Sequence, residues 1–227
     1  MNKQIAIKDA IATIPDGASI MVGGFGNPGT PFTLLDELLK QGQINLTLIK
    51  NDANEANIGI SKLIENGQVD KLITSHIGLN KVVIDMMNKE MIDVEFYPQG
   101  ILAEKVRSAG AGCFGFLTDI GLDTEISDEE SLIHHQGKTL KIESALYADF
   151  SLIHAHSADC YGNLIYESSA INFNPLMAMA ANKVIVEASH VVPSGDLNPA
   201  HIHTPSAFVN SIVDLALSTH KNSSAGT

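Results

Sequence analysis

The chain has 227 residues, of which 44% are hydrophobic and 18% charged, and its 14 basic and 26 acidic side chains give a formal net charge of −12. This length and apolar content suit one well-buried domain, expected at residues 1–219, followed by a polar and disordered tail at residues 220–227. The acidic balance and the lack of a basic run argue against nucleic-acid binding.

The sequence predicts neither a secreted protein nor a membrane protein. The N-terminal stretch contains Asp9 and Asp16 and has no unbroken apolar core, unlike a signal peptide. The apolar runs are too short to span a bilayer. Cys113 and Cys160 suit a reducing compartment, and Cys113 is expected to be a small buried residue. The expected location is therefore the cytoplasm.

Short β-branched runs alternate with helical stretches along most of the chain. The predicted strands are residues 19–22, 45–49, 71–74, 94–97, 150–154, 164–166 and 183–187. The predicted helices are residues 5–14, 31–40, 58–64, 81–88, 101–108 and 175–182. This alternation predicts βαβ units and an open, mostly parallel α/β sheet with helices on both faces. Residues 109–144 break the alternation and are expected to form a Gly-rich loop and then a hairpin around Gly137.

The densest signal is the segment DGASIMVGGFGNPGTP, residues 16–31. Its apolar strand runs into a glycine loop made of Gly23, Gly24, Phe25, Gly26, Asn27, Pro28 and Gly29. Glycines in such a loop let the backbone approach a ligand closely and aim N–H groups at anionic oxygens. The glycine loop is therefore the first candidate binding site.

The pattern Gly24-x-Gly26-x-x-Gly29 also matches the dinucleotide fingerprint, and Asp52 lies near the expected position of a ribose-binding carboxylate. Pro31 delays the following helix beyond the third glycine, which disfavours this interpretation. An NAD-binding oxidoreductase stays open as an alternative, as does a tight βα turn without a ligand.

Further blocks follow in a fixed order. They are LTLIKND (46–52), ITSHIG (73–78), YPQGILA (97–103), AGAGC (109–113), DCYGNLIY (159–166), NFNPLMAMA (172–180) and HTP (203–205). Together with the glycine loop they resemble the signatures of family I CoA-transferases, and most closely the A (alpha) subunits of acetate/butyrate–acetoacetate CoA-transferases. The resemblance spans residues 16 to about 213 and implies the open α/β fold that this superfamily shares with sugar-phosphate isomerases.

The resemblance implies an enzyme subunit that moves CoA between a short-chain acyl-CoA and a carboxylate or 3-oxoacid by a ping-pong glutamyl-CoA mechanism. The nucleophilic glutamate of the family lies in a Ser-Glu-Asn-Gly motif on the B (beta) subunit, so the implied assembly is α2β2. Coenzyme A is then a substrate, and no permanently bound cofactor is expected. A non-catalytic CoA-binding module is a further alternative.

The resemblance also suggests roles for individual residues. Gln99 would donate a hydrogen bond to the oxyanion or thioester carbonyl, and Asn51, at the end of a parallel strand, is a weaker candidate. Gly100 and the glycine loop would contact the substrate or CoA. The alternatives are a solvated turn residue for Gln99 and an Asx-turn for Asn51.

The sequence Ile64-Glu65-Asn66-Gly67 is similar to the nucleophile motif, but Ile stands in place of Ser. Asn-Gly is also a common C-cap, and it falls at the predicted end of an apolar helix. We therefore expect Glu65 not to be the nucleophile.

Three pairs of histidines raise the possibility of a metal site. They are His134 and His135, His154 and His156, and His201 and His203. No third ligand falls at a diagnostic spacing, so no metal is predicted.

Asp119, Asp123 and Ile171 depart from the residues usual in the relatives. These departures bear on acyl specificity or activity, and the sequence does not identify the acyl group.

Overall fold

The structure is a computed structural model that describes residues 2–122, 124 and 131–217. Asp123 and the tail expected at residues 220–227 therefore lie outside the described residues. The helices are α1 (Ile7–Ile11), α2 (Phe32–Gln41), α3 (Ile60–Glu65), α4 (Lys81–Asn88), α5 (Gln99–Gly110) and α6 (Asn174–Ala180). None of the described helices is both long and apolar enough to cross a bilayer.

Eight strands form the main sheet of the described chain. They are β1 (Ser19–Val22), β2 (Leu46–Ile49), β3 (Val69–Thr74), β4 (Asp93–Phe96), β8 (Ala148–Asp159), β9 (Leu164–Ile165), β10 (Ala181–Val192) and β11 (Ser211–Asp214). Seven of them run parallel in the order β11-β10-β8-β1-β2-β3-β4, and β9 pairs antiparallel with β8. The predicted open, mostly parallel sheet is confirmed.

The two faces of the sheet are covered by different helices because successive strand residues point to opposite sides. Ile20 and Val22 of β1 pack into a core with α1, α2, α3 and α4. Met21, between them, packs on the other face with α5 and α6. Both cores are built from buried aliphatic side chains, so the prediction of helices on both faces is also confirmed.

A smaller antiparallel sheet joins α5 to β8. Its strands are β5 (Gly115–Thr118), β6 (Leu132–His135) and β7 (Lys138–Ser144), in the order β5-β7-β6. The hairpin predicted around Gly137 is confirmed, with Gln136 and Gly137 both at positive φ in the turn. Leu117 and Ile142 face each other across β5 and β7, and each is about half exposed.

The structure corrects several predicted element bounds. Residues 115–118, within the expected Gly-rich loop, form β5, and residues 211–214, for which no element was predicted, form β11; each of these strands has four residues. β8 and β10 are each 12 residues long, far longer than predicted. The distal half of β8 contains His154 and His156 among small residues, and pairing between β8 and β10 over that length keeps both distal halves extended.

Candidate active site

The candidate site lies at the carboxyl edge of the main sheet. The chain leaves β1 toward β2, β3 and β4 on one side and returns on the other side as β8 and β10. The sheet order therefore reverses at β1, and ligands of open α/β sheets bind at such a reversal. The glycine loop follows β1, Asn51 and Asp52 follow β2, and Gln99 follows β4, so one edge gathers these residues.

Most glycines of the loop permit close packing against the protein itself. A Cβ atom on Gly24 would lie 2.3 Å from Thr30 Oγ1, and one on Gly29 would lie 2.5 Å from Asn174 Nδ2. Gly23 is similarly crowded by Asn174. Only at Gly26, within the loop, would an added Cβ meet no atom within 4 Å. Gly26 is therefore the glycine of the loop that faces open space.

Three of the loop amides are used within the protein, which differs from the expectation that they point at a ligand. Gly23 N–H donates to the carbonyl of Leu152 at 2.9 Å. Gly26 N–H donates to Asp52 Oδ2 at 2.7 Å, and Phe25 N–H donates to the carbonyl of Pro28 at 3.1 Å. Asn172 Nδ2 and Asn174 Nδ2 donate to the carbonyls of Pro28 and Gly29. The loop is thus held from both sides.

A buried polar cluster lies beneath Gly26. Lys50 is fully buried, and its Nζ lies 3.2 Å from Asp52 Oδ1 and 3.3 Å from the carbonyl oxygen of Gly26. The same carbonyl accepts hydrogen bonds from Thr30 Oγ1 at 2.7 Å and from Asn54 Nδ2 at 2.8 Å. The Gly26 residue is consequently fixed through both its N–H and its carbonyl.

The charges of this cluster balance each other. Burial alone would raise the pKa of Asp52, but the Lys50 charge and the donors at Gly26, Asn54 and Asn51 outweigh it and hold that pKa below its usual value. Burial lowers the pKa of Lys50, and the charge of Asp52 opposes that shift. Since Asp52 is occupied by these contacts, the dinucleotide interpretation lacks its ribose-binding carboxylate.

The structure brings Gln99 and Asn51 together. Gln99 Nε2 donates to Asn51 Oδ1 at 2.9 Å, although 48 positions separate the two residues. Asn51 is fully buried, whereas Gln99 is exposed. Helix α5 begins at Gln99, two residues earlier than predicted, so Gln99 and Gly100 form its first turn. The positive end of the helix dipole therefore lies beside the Gln99 amide. The catalytic roles of Gln99 and Asn51 stay predictions.

A cleft opens beside Gly26 and Asp52, between the loops that follow β1, β2 and β3. Phe25, Asn27, Asn54, His76 and Leu79 are among its walls. Phe25 is 45% exposed and Leu79 is 77% exposed, so apolar side chains stand at the cleft without packing against the described core. The cleft offers both an apolar wall and the open face of Gly26.

Glu65 lies away from this edge. It is the last residue of α3, and Asn66 and Gly67 end the helix as predicted, with Gly67 at φ 71°. Its Oε1 accepts hydrogen bonds from the Asn57 N–H and from the Ser61 hydroxyl. Glu65 is thus engaged in local contacts at the far end of a βα unit.

Two of the histidines, His154 and His156, lie against carboxylates. His154 Nδ1 lies 3.0 Å from Glu187 Oε1, and His156 Nδ1 lies 3.1 Å from Glu167 Oε2. Across the described ranges no group of three or more His, Cys, Asp or Glu side chains is arranged to hold a metal ion.

Two sequence features lie at the surface. Cys113 is exposed, so the expectation that it is buried was wrong. Cys113 follows the Gly-rich turn at the end of α5. Asp119 and Ile171 are also exposed, and neither contacts the Gln99–Asn51 pair.

Sequence reasoning missed the residues that shape the loop. Lys50, Asn54 and Asn174 were given no role, and Asp52 was considered only as a dinucleotide ligand. A usable signal was present, because a lysine directly after the buried run Leu46–Ile49 has to be paired or solvated. The pairing partner could not be identified without the path of the glycine loop.

Comparisons with known proteins agree with this geometry. Residues 4–215 match the sequence model of the family described as Coenzyme A transferase. The acetate CoA-transferase subunit alpha of Escherichia coli strain K12 is 44% identical over 211 residues, covering 93% of this chain and 96% of that protein. The acetoacetyl-CoA:acetate/butyrate CoA transferase alpha subunit of Clostridium acetobutylicum is 42% identical over 212 residues, covering 93% and 97%.

A solved structure shares the fold. The acyl-CoA transferase apoenzyme of Escherichia coli O157:H7 superposes with a TM-score of 0.81 at 25% identity. The superposition covers 94% of this chain but 47% of that one, so this chain spans about half of that longer protein.

Proposed function

The chain belongs to the coenzyme A transferase family, and we propose that it is the A subunit of a two-subunit enzyme that moves CoA between short-chain acyl-CoA and carboxylates of the acetate and acetoacetate type. The observation that carries this proposal is the Gln99–Asn51 pair at the carboxyl edge of the sheet. The relatives named for acetate, butyrate and acetoacetyl-CoA support the substrate class.

The proposed chemistry is covalent and ping-pong. A glutamate carboxylate attacks the thioester carbonyl, and CoA leaves as thiolate to give a mixed anhydride. The thiolate then attacks the glutamyl carbonyl of the anhydride, which releases the first carboxylate and leaves a glutamyl-CoA thioester. An incoming carboxylate takes CoA by the reverse steps. Each attack places negative charge on a carbonyl oxygen, which a fixed donor stabilises.

In this scheme Gln99 is the oxyanion donor. One Nε2–H is held by Asn51 Oδ1 at 2.9 Å, and the second Nε2–H stays available on an exposed side chain. Because the first N–H fixes the amide, the second is oriented before substrate arrives. The N-terminal N–H groups of α5 add positive potential at the same place.

The nucleophilic glutamate is proposed to lie on a B subunit, with α2β2 as the proposed assembly in the cytoplasm. Both relatives are named as alpha subunits, and the longer acyl-CoA transferase chain is about twice the length of this one, which supports a second subunit that supplies the other part of the site. The local contacts of Glu65 support its exclusion as the nucleophile. CoA is bound as substrate in this proposal.

The subunit assignment is tested by reconstitution. The chain alone should show no transferase activity, and addition of a B subunit that carries Ser-Glu-Asn-Gly should restore it. The Glu65→Gln variant should reconstitute to within about twofold of wild type, because surface changes away from a site have small effects. Turnover by the isolated chain that Glu65→Gln abolishes would contradict the assignment, and binding of acyl-CoA without turnover with any B subunit would indicate a non-catalytic binding module.

The oxyanion role is tested by Gln99→Ala in the assembled enzyme. Loss of one such donor costs about 10²–10³-fold in kcat, roughly 3–4 kcal/mol, with a smaller change in KM. Gln41→Ala is the matched control, because Gln41 also donates its side-chain amide to a side-chain oxygen, that of Glu37, but at the end of α2. Turnover of Gln99→Ala within about threefold of wild type would remove Gln99 from this role.

A further inference from the structure

One carboxylate oxygen connects the two halves of the candidate site. Asp52 Oδ2 accepts the Gly26 N–H of the glycine loop at 2.7 Å and also the Asn51 side-chain Nδ2 at 3.2 Å. Asn51 in turn presents its Oδ1 to Gln99 Nε2 at 2.9 Å. The loop is therefore one hydrogen bond from Asp52, and the proposed oxyanion donor is two hydrogen bonds from it.

The ionised carboxylate determines which way the Asn51 amide points. A carboxylate only accepts hydrogen bonds, so the Asn51 group facing Asp52 has to be the Nδ2 donor. The Oδ1 acceptor then faces the other way, where it receives Gln99 Nε2 and the Ser75 hydroxyl at 3.0 Å. If the Asn51 amide were reversed, its Nδ2 would face the Gln99 Nε2, and Gln99 would lose its anchor.

Lys50 allows this carboxylate to stay ionised while buried. Asp52 is 6% exposed and Lys50 is 0% exposed, so neither charge is solvated and each requires the other. Lys50 Nζ also reaches the carbonyl of Gly26 at 3.3 Å. The ion pair consequently holds both ends of the Gly26 residue while it orients Asn51.

We propose that Asp52, with Lys50 as its counter-ion, is a positioning residue that aligns the glycine loop with the Asn51–Gln99 pair. This inference rests on the proposed oxyanion role of Gln99. Asp52 acts through Asn51, since its own oxygens are occupied by protein donors.

The test is Asp52→Asn in the enzyme assembled with its B subunit. An asparagine at 52 can offer a donor to Asn51, so the Asn51 amide is free to reverse and Gln99 loses its fixed orientation. We expect kcat to fall about 10–100-fold, as small displacements of a catalytic group do, with KM within about threefold. Asp159→Asn is the matched control, because buried Asp159 likewise accepts backbone N–H groups, from Tyr161, Gly162 and Asn163. Asp159 lies at the C-terminal end of β8, beyond the part of that strand that pairs with β1. The control should keep wild-type kcat.

A double-mutant cycle separates positioning from general loss of structure. If Asp52 acts through Gln99, then Asp52→Asn added to Gln99→Ala should cost less than about threefold in kcat, because the two residues are coupled. An undiminished 10–100-fold loss in that background, or a loss that appears in KM alone, would overturn the inference. If Gln99→Ala itself has no effect, the proposed oxyanion role fails and the inference fails with it; if only Asp52→Asn has none, the inference alone fails.

A second variant covers the case in which Asp52→Asn does not fold with an unpaired buried lysine. Lys50→Met combined with Asp52→Asn removes that charge and keeps similar volumes. This double variant should assemble with the B subunit and show the same fall in kcat as expected for Asp52→Asn. Wild-type kcat in the assembled double variant would overturn the inference.

Discussion

The molecule buries lysine–carboxylate contacts in two regions and uses them differently. Under the glycine loop, Lys50 lies 3.2 Å from Asp52. Between α5 and the small sheet, Glu143 lies 2.8 Å from both Lys105 and Lys141. All five side chains are buried. The chemistry of the pairs is alike, so their surroundings account for the difference.

Asp52 also binds backbone N–H groups, whereas the contacts of Glu143 are with side chains. Gly26 and Asn54 donate their N–H groups to Asp52, which shapes the path of two loops at the cleft. Glu143 receives one ammonium group from Lys105 of α5 and one from Lys141 of its own strand, and Lys105 also lies 4.5 Å over the Tyr97 ring. We infer that the first pair shapes a site and the second attaches the small sheet.

The largest effect on stability is expected from Glu143→Gln. Removing the charge leaves buried Lys105 without the carboxylate that it contacts, and breaking such a buried pair costs about 3 kcal/mol or more. Urea unfolding should show this as a lower midpoint with an unchanged slope, while kcat of the assembled enzyme stays within about twofold of wild type. A fall in kcat as large as that expected for Asp52→Asn would erase the distinction between the two regions.

A smaller loss of stability is expected from alanine at two glycines of the loop, and the loss should differ between them. Gly24→Ala would bring its Cβ to 2.3 Å from Thr30 Oγ1 at a φ of +101°, so the loop has to move, at a cost of about 2 kcal/mol. Gly26→Ala meets no atom within 4 Å at a φ of +57° and should cost about 1 kcal/mol. Urea midpoints of both variants provide the measurement. Equal losses would mean that the contact with Thr30 does not constrain the loop.

The smallest change in the free energy of unfolding is expected on acidification. Burial alone would raise the pKa of Asp52 and of Glu143, but their lysine partners outweigh it, so both values lie below the ordinary range. Their stabilisation is therefore complete above the unfolded pKa of about 4 and is lost as the pH falls through the lower folded values.

Urea midpoints measured from about pH 5 to pH 2 should thus decline for the wild type. Each group contributes at most about 1.4 kcal/mol per pH unit to the free energy of unfolding. Glu143→Gln should therefore make the free energy of unfolding fall less steeply with pH, by no more than that amount. An unchanged slope in this variant would mean that Glu143 is not ionised in its buried position.

Local patterns in the sequence determined much of this protein. The alternation of apolar runs predicted the sheet and its helices, Asn66-Gly67 predicted the end of α3, and the glycine loop was located before any contact was known. These features depend on residues close together in the chain, through backbone preferences and side-chain periodicity. The order of the motifs also predicted the family that the comparisons confirm.

Only the tertiary structure decided what the site residues contact. Gln99 meets Asn51 across 48 positions, and Asp52 meets Gly26 across 26, distances at which local pattern carries no information. The structure also showed that Gly24 and Gly29 make room for the protein's own chain, whereas Gly26 faces open space. Whether a buried lysine, carboxylate or amide shapes a site depends on which donors the fold brings to it, because a buried polar group is stable only with its partners in place.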